Sequence, residues 1–326
     1  MAMTTPADPR DAVVLVNLGT PDAATPRDVR RYLAEFLHDH RVVQLSRWIW
    51  CPLLHFVILP LRGGPVAKKY ASIWIDGPDG GSPLAVYTRR LARAMQAQLP
   101  DVRVVEAMRY REPSLKDVLA RLRAEGARRV VVLPLYPQYS TTTTASVTDV
   151  VERAGLAEVH TVPEYHLDGG WIEAVAESVR AARAGRDGRR HLLFSFHGLP
   201  QRLVDAGDPY QRQCEASAAA IAAALGLPRE AWSVSYQSQF GKEKWIGPST
   251  QATLQDFARR GIHDLDVVAP GFPVDCLETL EEVSEMLAHE FAQAGGRMNY
   301  IPCLNDRPAH ARVLADIARR ALERSA

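Results

Sequence analysis

The sequence predicts an α/β fold: two similar doubly wound domains, each with a four-stranded, mainly parallel sheet flanked by helices, and a cleft between them. Three observations predict it. Short β-rich apolar runs alternate with helical stretches along the whole chain, about four strands to each half. Runs such as Val130-Val131-Val132-Leu133 are continuously apolar, as strands buried on both faces must be. At 326 residues the chain also exceeds the usual size of one hydrophobic core.

In the first half, Val13–Asn17 reads as a strand stopped by Gly19 and Pro21. Thr25 is a suitable N-cap, with Pro26 at the first helical position, for a helix to about His38. A lipophilic run, Trp48 to Leu61, follows. It is shorter than the roughly 20 residues of a membrane-spanning helix, and Pro52 and Pro60 are expected to break it. It suits the surface of a bilayer, the lip of an apolar pocket or a buried core helix. Asp76 to Pro83 is a loop, and Leu84 to about Leu99 a helix. Val102–Met108 is a second strand leading to Arg109, and Ser114 to Glu125 a helix stopped by Gly126. Val130–Leu133 delivers Tyr136 and Tyr139, a helix runs on to about Arg153, and Val159–Val162 is a weaker fourth strand.

The second half repeats the plan. A helix from Gly170 to about Ala184 precedes the run from His191 to Phe196, which ends on His197, Gly198 and Pro200. An alanine-rich helix spans Asp208 to Leu225. Strands follow at Trp232–Tyr236, Leu265–Ala269 and Met298–Ile301. Between them lie helices from Ser249 to Arg260 and from Val274 to about Ala294. Asp306 caps a terminal helix. The domains divide as 11–165 with the returning segment 305–326, and 166–304.

Composition narrows the function. The formal net charge is +1, so neither a basic nucleic-acid surface nor an acidic tail is expected. Cys51, Cys214, Cys276 and Cys303 are far apart, which argues against a zinc knuckle, an iron–sulfur cluster or a secreted disulfide framework. Residues 1–10 lack the apolar core of a signal peptide, so a cytoplasmic protein with reduced thiols is expected. No G-x-G-x-x-G follows a strand, no P-loop lysine motif is present, and Ser195 is not in a nucleophile elbow.

Parallel sheets bind ligands at the carboxyl ends of their strands. Those ends collect Asn17, Leu18, Arg109, Tyr110, Tyr136 and Tyr139 from one half, and His197, Tyr236, Gln237, Trp245, Phe272, Asp275 and Glu278 from the other. Such an aromatic set with one histidine suits a large, flat, apolar ligand bearing anionic groups; the same aromatics also serve as core. His197 can accept a proton, hold a metal, or be satisfied by a backbone carbonyl at a turn. Asp275, Glu278, Glu282 and Glu285 recur at helical spacing and would share one face, suited to passing a cation inward or protons outward, or simply to solvent. For Glu282 and Glu285 the solvated reading is preferred. His38-Asp39-His40 is metal-like in composition but lies at a helix end, where histidines complement the dipole.

Leu193-Phe194-Ser195-Phe196-His197-Gly198-Leu199-Pro200 resembles the ferrochelatase signature, in which a strand ends on the active-site histidine. The resemblance extends in order over nearly the whole chain. Val14–Pro21 is similar to the family's first strand and Gly80–Leu84 to its glycine–serine–proline loop. Leu133–Ser140 is similar to its third strand and turn, and Lys244–Pro248 and Asp275–Leu280 to its later pocket motifs. The resemblance implies a chelatase-like architecture and insertion of Fe²⁺ into protoporphyrin IX to give protohaem. His197 and Glu278 would face each other at the metal-insertion site, with Asp275 holding His197 or a water. Leu18, Tyr136, Trp245 and Phe272 would grip and bend the ring, and Ser82 and Arg109 would meet the propionates. The run 48–61 would be a pocket lip toward the inner membrane surface. Fe²⁺ is a substrate, and neither a tightly bound cofactor nor a 2Fe–2S cluster is expected. A monomer is favoured. Two departures stand out: Cys276 occupies a place where many members have histidine, and no cysteine-rich C-terminal extension is present. The alternatives are a coproporphyrin III or cobalt chelatase, and a tetrapyrrole carrier without catalysis.

Overall fold

The computed structural model describes residues 11–185 and 190–324; the stretch 1–10 and residues 325–326, which belong to readings made above, lie outside them. In the first half, strands β1 (Asp11–Gly19), β2 (Arg103–Tyr110), β3 (Arg129–Pro134) and β4 (Glu158–Thr161) form a sheet of order β2-β1-β3-β4. In the second, β5 (His191–His197), β6 (Trp232–Gln237), β7 (Asp264–Val268) and β8 (Arg297–Ile301) form a sheet of order β6-β5-β7-β8. Every pairing in both is parallel. Each strand therefore returns through a crossover, and the alternation of strand and helix in the sequence is that requirement made visible. β1 and β5 sit inside their sheets and are buried on both faces, which explains their unbroken apolar runs.

The two halves share one core. A continuous cluster joins Leu15, Leu133 and Leu135 through Trp171 and Val175 to Phe194, Phe196 and Leu199. Leu314 and Ala318 of the terminal helix Pro308–Arg324 complete it, and that helix packs on the helix Pro83–Gln96 and on β3. The carboxyl ends of β1 and β5 carry tight turns that their neighbours dictate. Gly19 has φ +116°, and a Cβ there would lie 1.9 Å from the Tyr110 carbonyl oxygen. A Cβ on Gly198 would lie 2.8 Å from the Gln237 carbonyl oxygen and 3.1 Å from the Trp245 ring. Only glycine fits such approaches.

Three elements differ from expectation. The lipophilic run is not broken at its prolines. Arg47–Leu53, a π-turn at Leu54–Ile58 and Leu59–Ile73 make one 27-residue helix. A wider π-turn beside Pro60 gives its ring room near the preceding turn, so the helix bends its register instead of ending. Nor is it a core helix in its first part: Trp48 is 92% exposed, Phe56 82% and Leu61 70%. The helix is long and apolar enough to cross a membrane, but its latter part is anchored, with Ala67, Tyr70 and Ile73 buried and Tyr70 packed against Val29.

The acidic helix also starts later and is wound differently. Val274–Cys276 is not helical, because Asp275 N–H is taken by Asn305 Oδ1 and Cys276 N–H by Thr279 Oγ1. Glu278–Leu287 is a π-helix, followed by an α-helix at Ala288–Gln293. Bonding to the fifth residue brings residues four or five apart into line. Glu278 and Glu282 therefore turn the same way, while Glu281 pairs with Lys69 and Glu285 is exposed. Finally, β2 continues through Arg109 and Tyr110, held by β1 as far as the Gly19–Tyr110 pair.

Candidate active site

His197 closes β5 and is only partly exposed. Its Nδ1 lies 2.6 Å from the Gly198 carbonyl oxygen. A carbonyl only accepts, so Nδ1 carries the proton and Nε2 presents its lone pair. Among the described residues Nε2 has no hydrogen-bond partner. The Phe272 ring lies 6.3 Å from the imidazole, and Trp245 packs on Gly198 beside it.

Glu278 opens the π-helix. Its carbonyl accepts from Gln237 Nε2 at 2.7 Å, and Gln237 is the residue paired with His197 across the ladder. Of the carboxylates of this helix, Glu282 is near enough to His197 to interact with it, and Glu278 stands beside Glu282. Burial raises the Glu282 carboxyl above its ordinary range, against the opposing pull of Ser238 and of His197, and Glu278 raises it further. From the first half, burial pushes the phenols of Tyr32 and Tyr70 far up, and Glu278 adds to both. The structure thus gathers His197, Glu278 and Glu282 from the second half against two tyrosines of the first. A base with a free lone pair beside carboxylates in a mostly buried, aromatic setting can take protons from a bound ligand and receive a cation.

A family model for ferrochelatase matches residues 10–322. The chain belongs to the ferrochelatase family. A relative named ferrochelatase from Xanthomonas axonopodis pv. citri (strain 306) is 55% identical over 317 residues, covering 96% of this chain and 99% of its own length. One from Vibrio atlanticus (strain LGP32) is 48% identical over 316 residues, covering 94% and 97%. Among solved structures, CbiX, described as the terminal enzyme for siroheme biosynthesis in denitrifying bacteria, superposes with a TM-score of 0.53 at 15% identity, over 95% of this chain and 99% of its own. SirB from Bacillus subtilis with Fe³⁺ gives 0.52 at 13% identity, over 74% and 92%. At such identities the likeness is one of fold.

The other residues expected at the ferrochelatase site are placed as follows. Leu18 is partly buried at the end of β1, where Asn17 Oδ1 accepts its N–H. The Tyr136 hydroxyl is buried with no partner among the described residues, a donor free for a ligand or a water. Trp245 donates Nε1–H to the Phe240 carbonyl and packs at a tilt against the Phe240 ring, 4.9 Å between centroids. Ser82 is buried at the N-terminus of the helix Pro83–Gln96 and makes no capping bond through its hydroxyl, so hydroxyl and helix dipole remain available to an anion.

Two expected roles are changed by the contacts observed. Arg109 is not a free cation for a propionate: Nη2 meets Asp39 at 2.5 Å and Nε meets Ser146 Oγ at 2.7 Å. Burial pushes the Asp39 carboxyl up, but hydrogen bonds from Ser146, the Arg41 backbone and Tyr110, with the Arg109 charge, hold it below its usual range. Asp39 is thereby part of an internal ion pair. Among the described residues Asp275 makes no hydrogen bond to His197. Its Oδ1 accepts from Tyr300 at 2.6 Å and Thr279 at 3.1 Å, and its Oδ2 from Asn305 at 2.6 Å. Asp275 therefore ties the start of the π-helix to the end of the second sheet. Asp275→Ala would strand several buried donors, and about 3–5 kcal/mol of stability should be lost, read as a lower urea midpoint. Unchanged stability with lost activity would return Asp275 to a direct role.

Cys276 is buried, and its thiol is pushed far up by burial first and by the neighbouring Glu278 next, so it is neutral near pH 7. Sequence reasoning missed Tyr32 and Tyr70, and it read Glu282 as a solvent-facing residue. Tyr32 and Tyr70 lie on helices whose apolar faces look like ordinary packing surfaces. The signal for Glu282 was its spacing of four from Glu278, which puts the two on one face in either winding; that this face turns inward is decided by Ser238, which takes the Glu282 carboxylate.

Proposed function

We propose that His197 is the acceptor of the pyrrole protons and that Glu278 works beside it, as metal donor or proton relay, in the reaction of this ferrochelatase. The enzyme inserts ferrous iron into protoporphyrin IX, forming protohaem in haem biosynthesis. The macrocycle loses two N–H protons as Fe²⁺ takes their place, so the site must supply a base and release two protons for each haem. The observation that carries the reading is the fixed tautomer of His197: the proton on Nδ1 is committed to Gly198, leaving Nε2 as the base. Leu18, Tyr136, Trp245 and Phe272 serve as the walls that grip the ring, and the Ser82 helix start receives a propionate. Fe²⁺ is a substrate, and the chemistry asks for no resident cofactor. Purified enzyme, given protoporphyrin IX and Fe²⁺ without oxygen, should convert the visible spectrum from free-base porphyrin to haem. No conversion, or conversion of coproporphyrin III alone, would overturn the substrate assignment.

The exposed face of the lip helix supports peripheral contact with the cytoplasmic membrane surface, and a monomer is proposed. Trp48, Ile49, Leu53, Phe56, Val57 and Leu61 are exposed together, with Arg62 stacked on Phe240 at 5.5 Å nearby. Apolar residues and a flanking cation are the ingredients of an interfacial helix, and the anchored latter half keeps the helix on the protein. Trp48→Ser with Phe56→Ser should reduce co-sedimentation with anionic vesicles at least about fivefold, while turnover of detergent-dispersed porphyrin is kept. Equal binding by wild type and variant would remove this face as the membrane contact.

A further inference from the structure

The end of β6 carries two consecutive polar side chains whose hydrogen bonds all serve other elements. Gln237 is 2% exposed, and both ends of its amide are engaged. Oε1 accepts from Ser195 Oγ at 2.6 Å, and Nε2 donates to the Glu278 carbonyl at 2.7 Å. Since that carbonyl only accepts, the amide nitrogen must face it, which fixes the orientation of the amide. The Gln237 backbone carbonyl accepts from Gly198 N at 2.7 Å, the residue directly after His197. The His197 turn and the first residue of the π-helix are thus referenced to each other through one buried side chain.

Ser238 adds a second grip. Its backbone is left-handed, φ 60°, a conformation that costs a serine free energy and persists where its surroundings enforce it. Here its N–H donates to Glu282 Oε1 at 2.7 Å and its hydroxyl to Glu282 Oε2. Glu278 and Glu282 are one π-turn apart on the same side. One hydrogen bond alone would hold the helix end in place and leave it free to roll. Two grips a turn apart fix its rotation as well.

We propose that Gln237 and Ser238 are positioning residues that set the rotation of the π-helix Glu278–Leu287, and so hold the Glu278 side chain in its place beside Glu282, Tyr32 and Tyr70. The proposal rests on the His197–Glu278 reading above. Neither residue needs to touch a reacting atom. A displacement of about 1 Å in a reacting group is enough to cost about a hundredfold in rate, which is the scale of effect the clamp can exert.

The test is a double-mutant cycle on kcat, with the KM for porphyrin measured alongside. Gln237→Met keeps the side-chain length and removes the donor to Glu278. Ser238→Ala removes the hydroxyl from Glu282 and serves if the first variant does not fold. Each single variant should lower kcat about 10- to 100-fold with KM changed less than about twofold. In a Glu278→Gln background either should lower kcat by less than about threefold further, because a misaligned group that is already disabled has nothing more to lose. A loss of stability without coupling would give multiplied losses in the two backgrounds and would overturn the proposal. Wild-type kcat in both single variants, with Glu278→Gln slow, would overturn it and leave the reading of Glu278 intact. Wild-type kcat in Glu278→Gln itself would overturn that reading, and the proposal with it.

Discussion

His197→Ala will bind porphyrin about as tightly as the wild type and will insert iron at least about 10²- to 10⁴-fold more slowly, the range that a positioned general base contributes. The separation of binding from turnover follows from what surrounds the ring. Among the described residues the imidazole makes one hydrogen bond, to the neighbouring Gly198 carbonyl, so its loss disturbs little of the fold. Phe272, Trp245 and Tyr136 are carried on loops after β7, β6 and β3, not on the strand of His197, and keep the apolar surface that a flat macrocycle would cover. Porphyrin affinity is measured by fluorescence titration and insertion by the anaerobic appearance of the haem spectrum. Iron insertion at an undiminished rate would remove His197 from the mechanism. Loss of porphyrin binding together with insertion would make it a wall of the pocket instead of its base.

Glu278→Gln is expected to lower kcat by about 10²-fold or more, with porphyrin affinity within about twofold of the wild type. The amide keeps the shape of the carboxylate and leaves the backbone carbonyl in its bond to Gln237, so the π-helix should stay in register. What disappears is a carboxyl group in a half-buried place, next to the phenols of Tyr32 and Tyr70 and to the Glu282 carboxyl. Removing one of two neighbouring carboxylates relieves their repulsion, so thermal stability should hold or rise. The two measurements together are decisive. A fall in turnover with steady stability marks a functional carboxylate, whereas parallel falls in both would mark a structural one. Retained turnover would assign the proton relay or metal hand-over to Glu282, the carboxylate one turn along.

The same logic separates Glu278 from Asp275. Both looked alike in sequence, as acids three residues apart at the start of a helix. In the fold, Asp275 is saturated by donors from Tyr300, Thr279 and Asn305. A carboxylate that satisfies the start of one element and the end of another is worth most to stability. Glu278 has its backbone fixed by Gln237 and its carboxylate near Tyr32 and Tyr70, which leaves it for chemistry.

Much of this was legible in the chain itself. Short-range physical chemistry determined the eight strands and their neighbours: unbroken apolar runs for buried parallel strands, glycine or proline where a strand ends, and Thr25, Pro26 and Ser114 where helices begin. The run ending on His197 and Gly198 marked the principal candidate, because the strand-then-turn pattern is local and the glycine is demanded by close approach. The tertiary structure decided the rest, for two reasons. The destination of a polar side chain depends on partners far along the chain: Arg109 went to Asp39, seventy residues earlier, and Asp275 to Asn305, thirty residues later. The winding of a helix depends on what grips it. Nothing in Glu278–Leu287 alone announces a π-turn, yet that turn takes Glu285 off the face shared by Glu278 and Glu282 and leaves it in solvent, while Ser238 at a neighbouring strand end takes the Glu282 carboxylate. Likewise the prolines of the lipophilic run predicted a break, and packing of the latter half against the helix Pro26–His38 made it one helix with an exposed face. The sequence by itself determined the architecture and the histidine at its centre; the long-range contacts determined which acids stand beside that histidine and which hold the fold together.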